Sequence, residues 1–162
     1  MPAIKTSIVE ACIFRTRSQE LEVLVLKRSK DRDIYPGIWQ ILTGRVEQDE
    51  ISMQAIMREI KEETGLTPTS LWTAPQVLSF FDPITDRIIL APLFIAQVDP
   101  GDRVTLSHEH SEFAWVSPDK AKELVPWKGQ HDAIDTTVAF LTGNRLQQEL
   151  AKLSANSFSG KG

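Results

Sequence analysis

Three glutamates, Glu59, Glu62 and Glu63, crowd into the run Arg58-Glu59-Ile60-Lys61-Glu62-Glu63-Thr64-Gly65-Leu66, and a lone glycine, Gly44, stands fifteen residues before the first of them. Clustered carboxylates are hard oxygen donors. Their natural partner is a hard divalent cation, and Mg²⁺ in particular is usually held by one or two carboxylates together with phosphate oxygens and waters. An acidic cluster with basic neighbours, Arg58 and Lys61, therefore points to phosphate chemistry at a metal site.

The element that positions these acids is legible from spacing. At about 3.6 residues per turn, Met53, Ile56, Met57 and Ile60 recur at i, i+3, i+4 and i+7 and form one apolar stripe. The segment is thus predicted to be a helix docked on a core. Glu59 and Glu63, four apart, share a flank of that stripe and can reach one ion, while Glu62 points further toward solvent. Ser52 is the predicted N-terminal cap and Gly65 the C-terminal stop. A merely solvated acidic face would need neither Gly44 before the helix nor Gly65 after it, which favours the functional reading over the bland one.

Over residues 44–66 the sequence GRVEQDEISMQAIMREIKEETGL resembles the Nudix box. The resemblance implies an α/β fold, the α/β/α sandwich with a mixed β-sheet, and hydrolysis of a pyrophosphate bond in a nucleoside diphosphate linked to another group. It implies Mg²⁺ as cofactor, with Mn²⁺ as a substitute. It makes Glu59 and Glu63 the main metal ligands, adds Glu62 and the carbonyl of Gly44, and gives Arg58 the task of orienting the glutamates, with Glu62 one turn on as a further partner. A glutamate outside the box contributes a further ligand or the base in many members. Here it matches Glu109 in LSHEHSEFAWV, with Glu112 as the competitor and His108 and His110 either solvated or titrating near neutrality. One departure is Asp49, where many boxes carry glycine.

Arg28, Trp39, Gln40 and Phe81 are the candidate substrate-binding residues. Arg28 suits phosphate or is an ordinary surface charge. Trp39 stacks a base or fills the core, and one of the adjacent Phe80 and Phe81 is expected to face outward on a strand. The runs GIWQILTGRVE, EHSEFAW and PWKGQHDAI are similar to the dihydroneopterin triphosphate diphosphatase branch. The expected substrate is therefore a nucleotide-like triphosphate, dihydroneopterin triphosphate or a dNTP. The alternatives are ADP-ribose, a dinucleoside polyphosphate, or a Nudix-fold sensor that binds a nucleotide without hydrolysing it.

Composition bounds the rest. At 162 residues the chain suits one domain, expected over 1–153, with a small, polar and flexible tail over 154–162. Hydrophobic residues at 41% and charged residues at 25% are ordinary globular usage. The net charge of −4 gives no basic footprint for duplex nucleic acid. The lone Cys12 excludes an internal disulfide and is expected to be a buried thiol. No stretch has the length of a membrane span, so a cytoplasmic monomer or homodimer is expected.

Strands are predicted over 4–14 and 21–26, joined by a polar turn, and an exposed loop over 27–37. An apolar segment over 39–42 feeds Gly44. Strands over 71–81 and 87–98 flank an Asp82-Pro83 turn, and 113–116 is another. Helices are predicted from Pro118, capped by Ser117, and over 131–153 with a break at Gly143. Trp127, between helices, is expected to be buried.

Overall fold

The structure, a computed structural model, describes residues 6–154. The expected strand start at Ile4, and all of the expected tail except Ser154, lie outside the described residues. In chain order the elements are β1 (Ile8–Arg17), β2 (Glu20–Arg28), β3 (Trp39–Gln40), β4 (Leu42–Arg45), α1 (Ser52–Thr64), β5 (Ser70–Asp82), β6 (Arg87–Gln97), β7 (His110–Val116), α2 (Pro118–Leu124), α3 (Lys128–Thr142), α4 (Arg145–Ala151) and β8 (Lys152–Leu153).

The first two strands form the expected hairpin. Its turn residues Ser18 and Gln19 both take positive φ, 49° and 67°, the left-handed pair whose twist matches that of the strands. β1 is the axis of the sheet. One edge pairs in parallel with β6, and the other pairs with β4 over Ile8 to Ala11 and then with β2 from Phe14 on. β2 carries β7 on its outer edge and β3 at its far end. The short run 39–45 is therefore a wedge driven between β1 and β2 where the two strands part, and it carries Gly44 into the middle of the sheet. All other pairings are antiparallel, with β5 on β6 and β8 closing the far edge.

Alternation along β1 sorts the core into two layers. Val9, Ala11 and Ile13 face α1 and pack with Ile56 and Ile60. Cys12 and Phe14 face α3 and pack with Ile134 and Phe140. The result is helix, mixed sheet and helix, the α/β/α arrangement that the resemblance implies. Cys12 is fully buried, and burial pushes its thiol up to about 11, which suits an inert structural role.

Several local expectations are corrected. Ser52 is the first helical residue, and Ile51 occupies the cap position. Ile51 has no side-chain oxygen to offer, although its carbonyl accepts from Ala55 N–H at 3.0 Å, and its own N–H is satisfied by Gln54 Oε1 at 3.1 Å. Phe80 and Phe81 are both exposed, because the outer half of the β5–β6 hairpin projects beyond the helices. Trp127 is 39% exposed and stands edge-on to Tyr35, with ring centroids 4.9 Å apart. The break at Gly143 is present, with Asn144 capping α4 through two N–H donors.

Candidate functional site

The site forms where α1 meets the wedge. A Cβ on Gly44 would fall 2.2 Å from Cγ of Glu59, so only glycine lets the helix approach β4 this closely. That approach fixes Glu59. Its Oε1 accepts from the backbone N–H of Arg45 at 3.0 Å and from Arg58 Nη1 at 3.0 Å. Arg58 is the hub of this half of the site. Its Nε and Nη2 fork onto the two oxygens of Glu50, both at 2.9 Å, its Nη1 also reaches Glu62 Oε2 at 3.2 Å, and its Nη2 donates to the carbonyl of Arg45 at 2.8 Å. The Arg58 fork holds the Glu50 carboxyl below the usual range. Glu62 stays exposed.

The other half is built from a loop. At the C-terminal end of α1, Gly65 adopts a left-handed φ of 71°, and carbonyls of the last turn are free to accept from a segment outside the helix. Two of them hold the stretch leading into β7. Thr105 N–H donates to the carbonyl of Thr64 at 2.8 Å, and Ser107 N–H to that of Glu63 at 3.2 Å. Clasped to the helix in this way, the loop delivers Glu109 and His110 to Glu63.

Burial and the neighbouring Glu109 raise the Glu63 carboxyl well above the ordinary range, while Glu109 is lowered by the hydrogen bond it takes from Glu63. Two carboxyls set together in a buried site oppose each other's ionisation, and the more buried Glu63 is the one pushed up. Arg32 Nη2 lies 3.1 Å from Glu109 Oε1 and helps to keep Glu109 charged. His110 is buried, and its Nδ1 is 3.1 Å from Glu63 Oε2. The alignment is poor, however, and both atoms lack a hydrogen-bond partner. Burial holds the His110 ring down to about 4, hence neutral at physiological pH.

Among the described residues no three acidic, histidine or cysteine side chains already converge on an ion-sized point. The reason is visible in the partners: Glu59 and Glu62 are turned to Arg58, and Glu63 is turned to Glu109. The donor chemistry nonetheless fits a hard divalent ion. Every candidate ligand is an oxygen, and one buried carboxylate oxygen, Glu63 Oε2, is orphaned.

The remaining expected site residues fall in different places. Arg28 ends β2 beside the acids, its Nε donating to the carbonyl of Ile34 at 2.9 Å and its charge felt by Glu63. Gln40 is buried beneath His110, its Nε2 3.4 Å from the ring Nε2. Trp39 packs partly into the α3-side core with Lys27 Nζ over its ring at 5.7 Å. Phe81, 58% exposed, stands out on the projecting hairpin. Glu112 lies on β7 paired to Lys27 at 2.8 Å and is not brought to the acids.

The NUDIX domain model matches residues 6–136. The chain belongs to the Nudix family. Among curated relatives, this Nudix chain is 30% identical over 102 residues to the nucleoside triphosphatase NudI of Escherichia fergusonii, a match covering 59% of the chain and 72% of that relative. It is 31% identical over 139 residues to an octanoyltransferase of Myxococcus xanthus, covering 85% of the chain but spanning only 38% of that longer protein's length. Among solved structures, the Ap4A hydrolase of C. elegans shares the fold, with a TM-score of 0.73 at 24% identity, covering 86% of this chain and 100% of that one.

Three participants are not identifiable from sequence. Glu50, to which the sequence assigns no role, is the main partner of Arg58. His110, for which sequence leaves solvated and catalytic roles both open, is buried. Arg32 reads in sequence only as part of an exposed loop, and its pairing with Glu109 depends on tertiary contact.

Proposed function

We propose that this Nudix protein hydrolyses a pyrophosphate bond in a nucleoside triphosphate or a related triphosphate, dihydroneopterin triphosphate or a dNTP, with Mg²⁺ as cofactor. The observation that carries the proposal is the clasp of the 98–109 loop on the last turn of α1, Thr105 N–H to the Thr64 carbonyl and Ser107 N–H to the Glu63 carbonyl, which brings Glu109 from a separate element to the buried Glu63. The NudI relatives, nucleoside triphosphatases by name, support the triphosphate class.

Glu59, Glu63, Glu62 and the Gly44 carbonyl would hold the ion. When bound, it supplies positive charge opposite the phosphate oxygens as negative charge builds in transfer. Arg58 sets the carboxylates of Glu59 and Glu62. Arg28, beside the acids, is placed to meet a phosphate oxygen. Glu109, on a loop and kept ionised by Arg32, takes the proton from the water that attacks phosphorus, and the departing phosphate takes the electron pair of the broken P–O bond.

The test is product release from a panel of dNTPs, dihydroneopterin triphosphate, ADP-ribose and dinucleoside polyphosphates, with MgCl₂ and with EDTA. Magnesium-dependent cleavage of a triphosphate is expected. Tight binding without cleavage of any panel member would instead indicate a nucleotide sensor.

A further inference from the structure

The projecting β5–β6 hairpin carries an apolar surface that the acidic site does not use. Strand alternation puts Val77 and Phe81, with their partners Pro92 and Ile88 on β6, on the α1 side of this ribbon. Phe80 lies on the opposite side, and Ile84 stands in the turn. Val77 is 57% exposed, Ile84 79% and Ile88 75%, and both phenylalanines are exposed as well. Single apolar residues on a surface need no explanation, but five large ones on one hairpin do.

The outer edge of β5 is bare along the same stretch. Among the described residues, β8 pairs with that edge only at Leu71 and Trp72. Pro75 and the irregularity between Thr73 and Val77 interrupt the strand next. From there to Phe81 no lysine, proline or second bulge guards the edge, and no charged side chain occurs anywhere from Ser70 to Phe81. Folded chains ordinarily protect such an edge, because its free N–H and C=O groups are a template for another strand. The spacing of the segment says which strand fits. Pro75 and Pro83 lie four residues either side of Ser79, and neither has an N–H to give to a ladder. The seven residues between them pair with a second copy of themselves, over their whole length, in one antiparallel register only, the one centred on Ser79. That register sets Val77 against Phe81 of the second copy, Leu78 against Phe80 and Gln76 against Asp82. Aromatic residues thus meet aliphatic ones, and no like charges face each other. The size agrees too: in two copies the five exposed side chains present about 1,200 Å², where specific, stable interfaces begin.

We propose that β5 is the interface of a symmetric homodimer, in which the 76–82 edges of two copies pair antiparallel about Ser79 and continue the sheet across both. The occupant is a second copy of this chain because the contact is self-complementary, as a two-fold axis requires. Phe81, a candidate for substrate binding from sequence, belongs to this interface.

Sedimentation velocity on the full chain tests this. A dimer is expected at about 100 µM, well above the micromolar dissociation constants that interfaces of this size reach, and a monomer at that concentration overturns the proposal. Phe81→Asp is expected to weaken association by about 30-fold or more, the loss that follows removal of a central aromatic anchor; a dimer as tight as the wild type overturns it. Ser79→Cys adds a check that leaves the apolar patch intact, should Phe81→Asp fail to fold. Two cysteines on the axis stand within disulfide reach, and the native Cys12 is buried and does not compete. Under mild oxidation Ser79→Cys is expected to give a covalent dimer on non-reducing electrophoresis, and Glu149→Cys, exposed on α4, is not. No crosslink in Ser79→Cys, or the same extent of crosslinking in Glu149→Cys, overturns the proposal.

Discussion

The middle of the acidic helix and its C-terminal end have been built to opposite standards. Around Arg58 the acids are satisfied to excess: Glu50, Glu59 and Glu62 all lie on one guanidinium, and Arg45 closes the ring through its backbone. One turn on, around Glu63, they are not satisfied, since two carboxyls oppose each other's ionisation and Glu63 Oε2 and His110 Nδ1 go unpartnered. The first is finished scaffold. The second stores unfavourable contacts that a bound cation or substrate can relieve, which is the pattern expected where stability is given up for function.

If that contrast is right, Glu63→Gln should remove hydrolysis by about 10²- to 10³-fold while leaving the melting temperature equal to or above that of the wild type. A variant that melts markedly lower would place Glu63 with the scaffold. Glu10, buried on β1 with its Oε2 unpartnered, resembles the unsatisfied end, and its burial shows in pH. Its carboxyl is raised from 4.5 to about 7, so the native state holds this proton more tightly than the unfolded chain does. Its contribution is full below pH 4.5 and is lost as pH rises through 7. Chemical denaturation of the wild type, measured against Glu10→Gln, should therefore show a relative loss of about 3 kcal/mol between pH 4.5 and pH 8; parallel curves would contradict it. Arg58→Met, in the satisfied middle, should cost about 2 kcal/mol of folding free energy, at the lower side of what breaking a buried ion pair costs because the hub is partly open to solvent. Glu112→Gln, remote from both regions, should change stability and turnover by less than about 0.5 kcal/mol, as read in the same melts and assays.

How much of this was legible in sequence depended on how local its cause was. The stripe from Met53 to Ile60 and the stop at Gly65 are set within one helix, so their spacing sufficed. Gly44 was marked by its distance from Glu59, but the reason for the glycine, a helix lying against β4, is tertiary. His110 escaped because its burial depends on β7 pairing with β2 across the register shift at Lys27/Arg28, which no run of seven residues reveals. Glu10 had a usable sign. A single acid inside the apolar run IVEACIF, on a strand covered on both faces, is out of place and is a reason to look for its partner.

The clasp between the 98–109 loop and the last turn of α1 ties together two events that the chain sequence keeps far apart. Since Thr105 and Ser107 donate to Thr64 and Glu63, fraying of that turn releases Glu109 at the same moment that it displaces Glu63. The amides of residues 105 and 107 should then exchange with deuterium through one shared opening, and the acids would be assembled or dispersed as a pair, never singly.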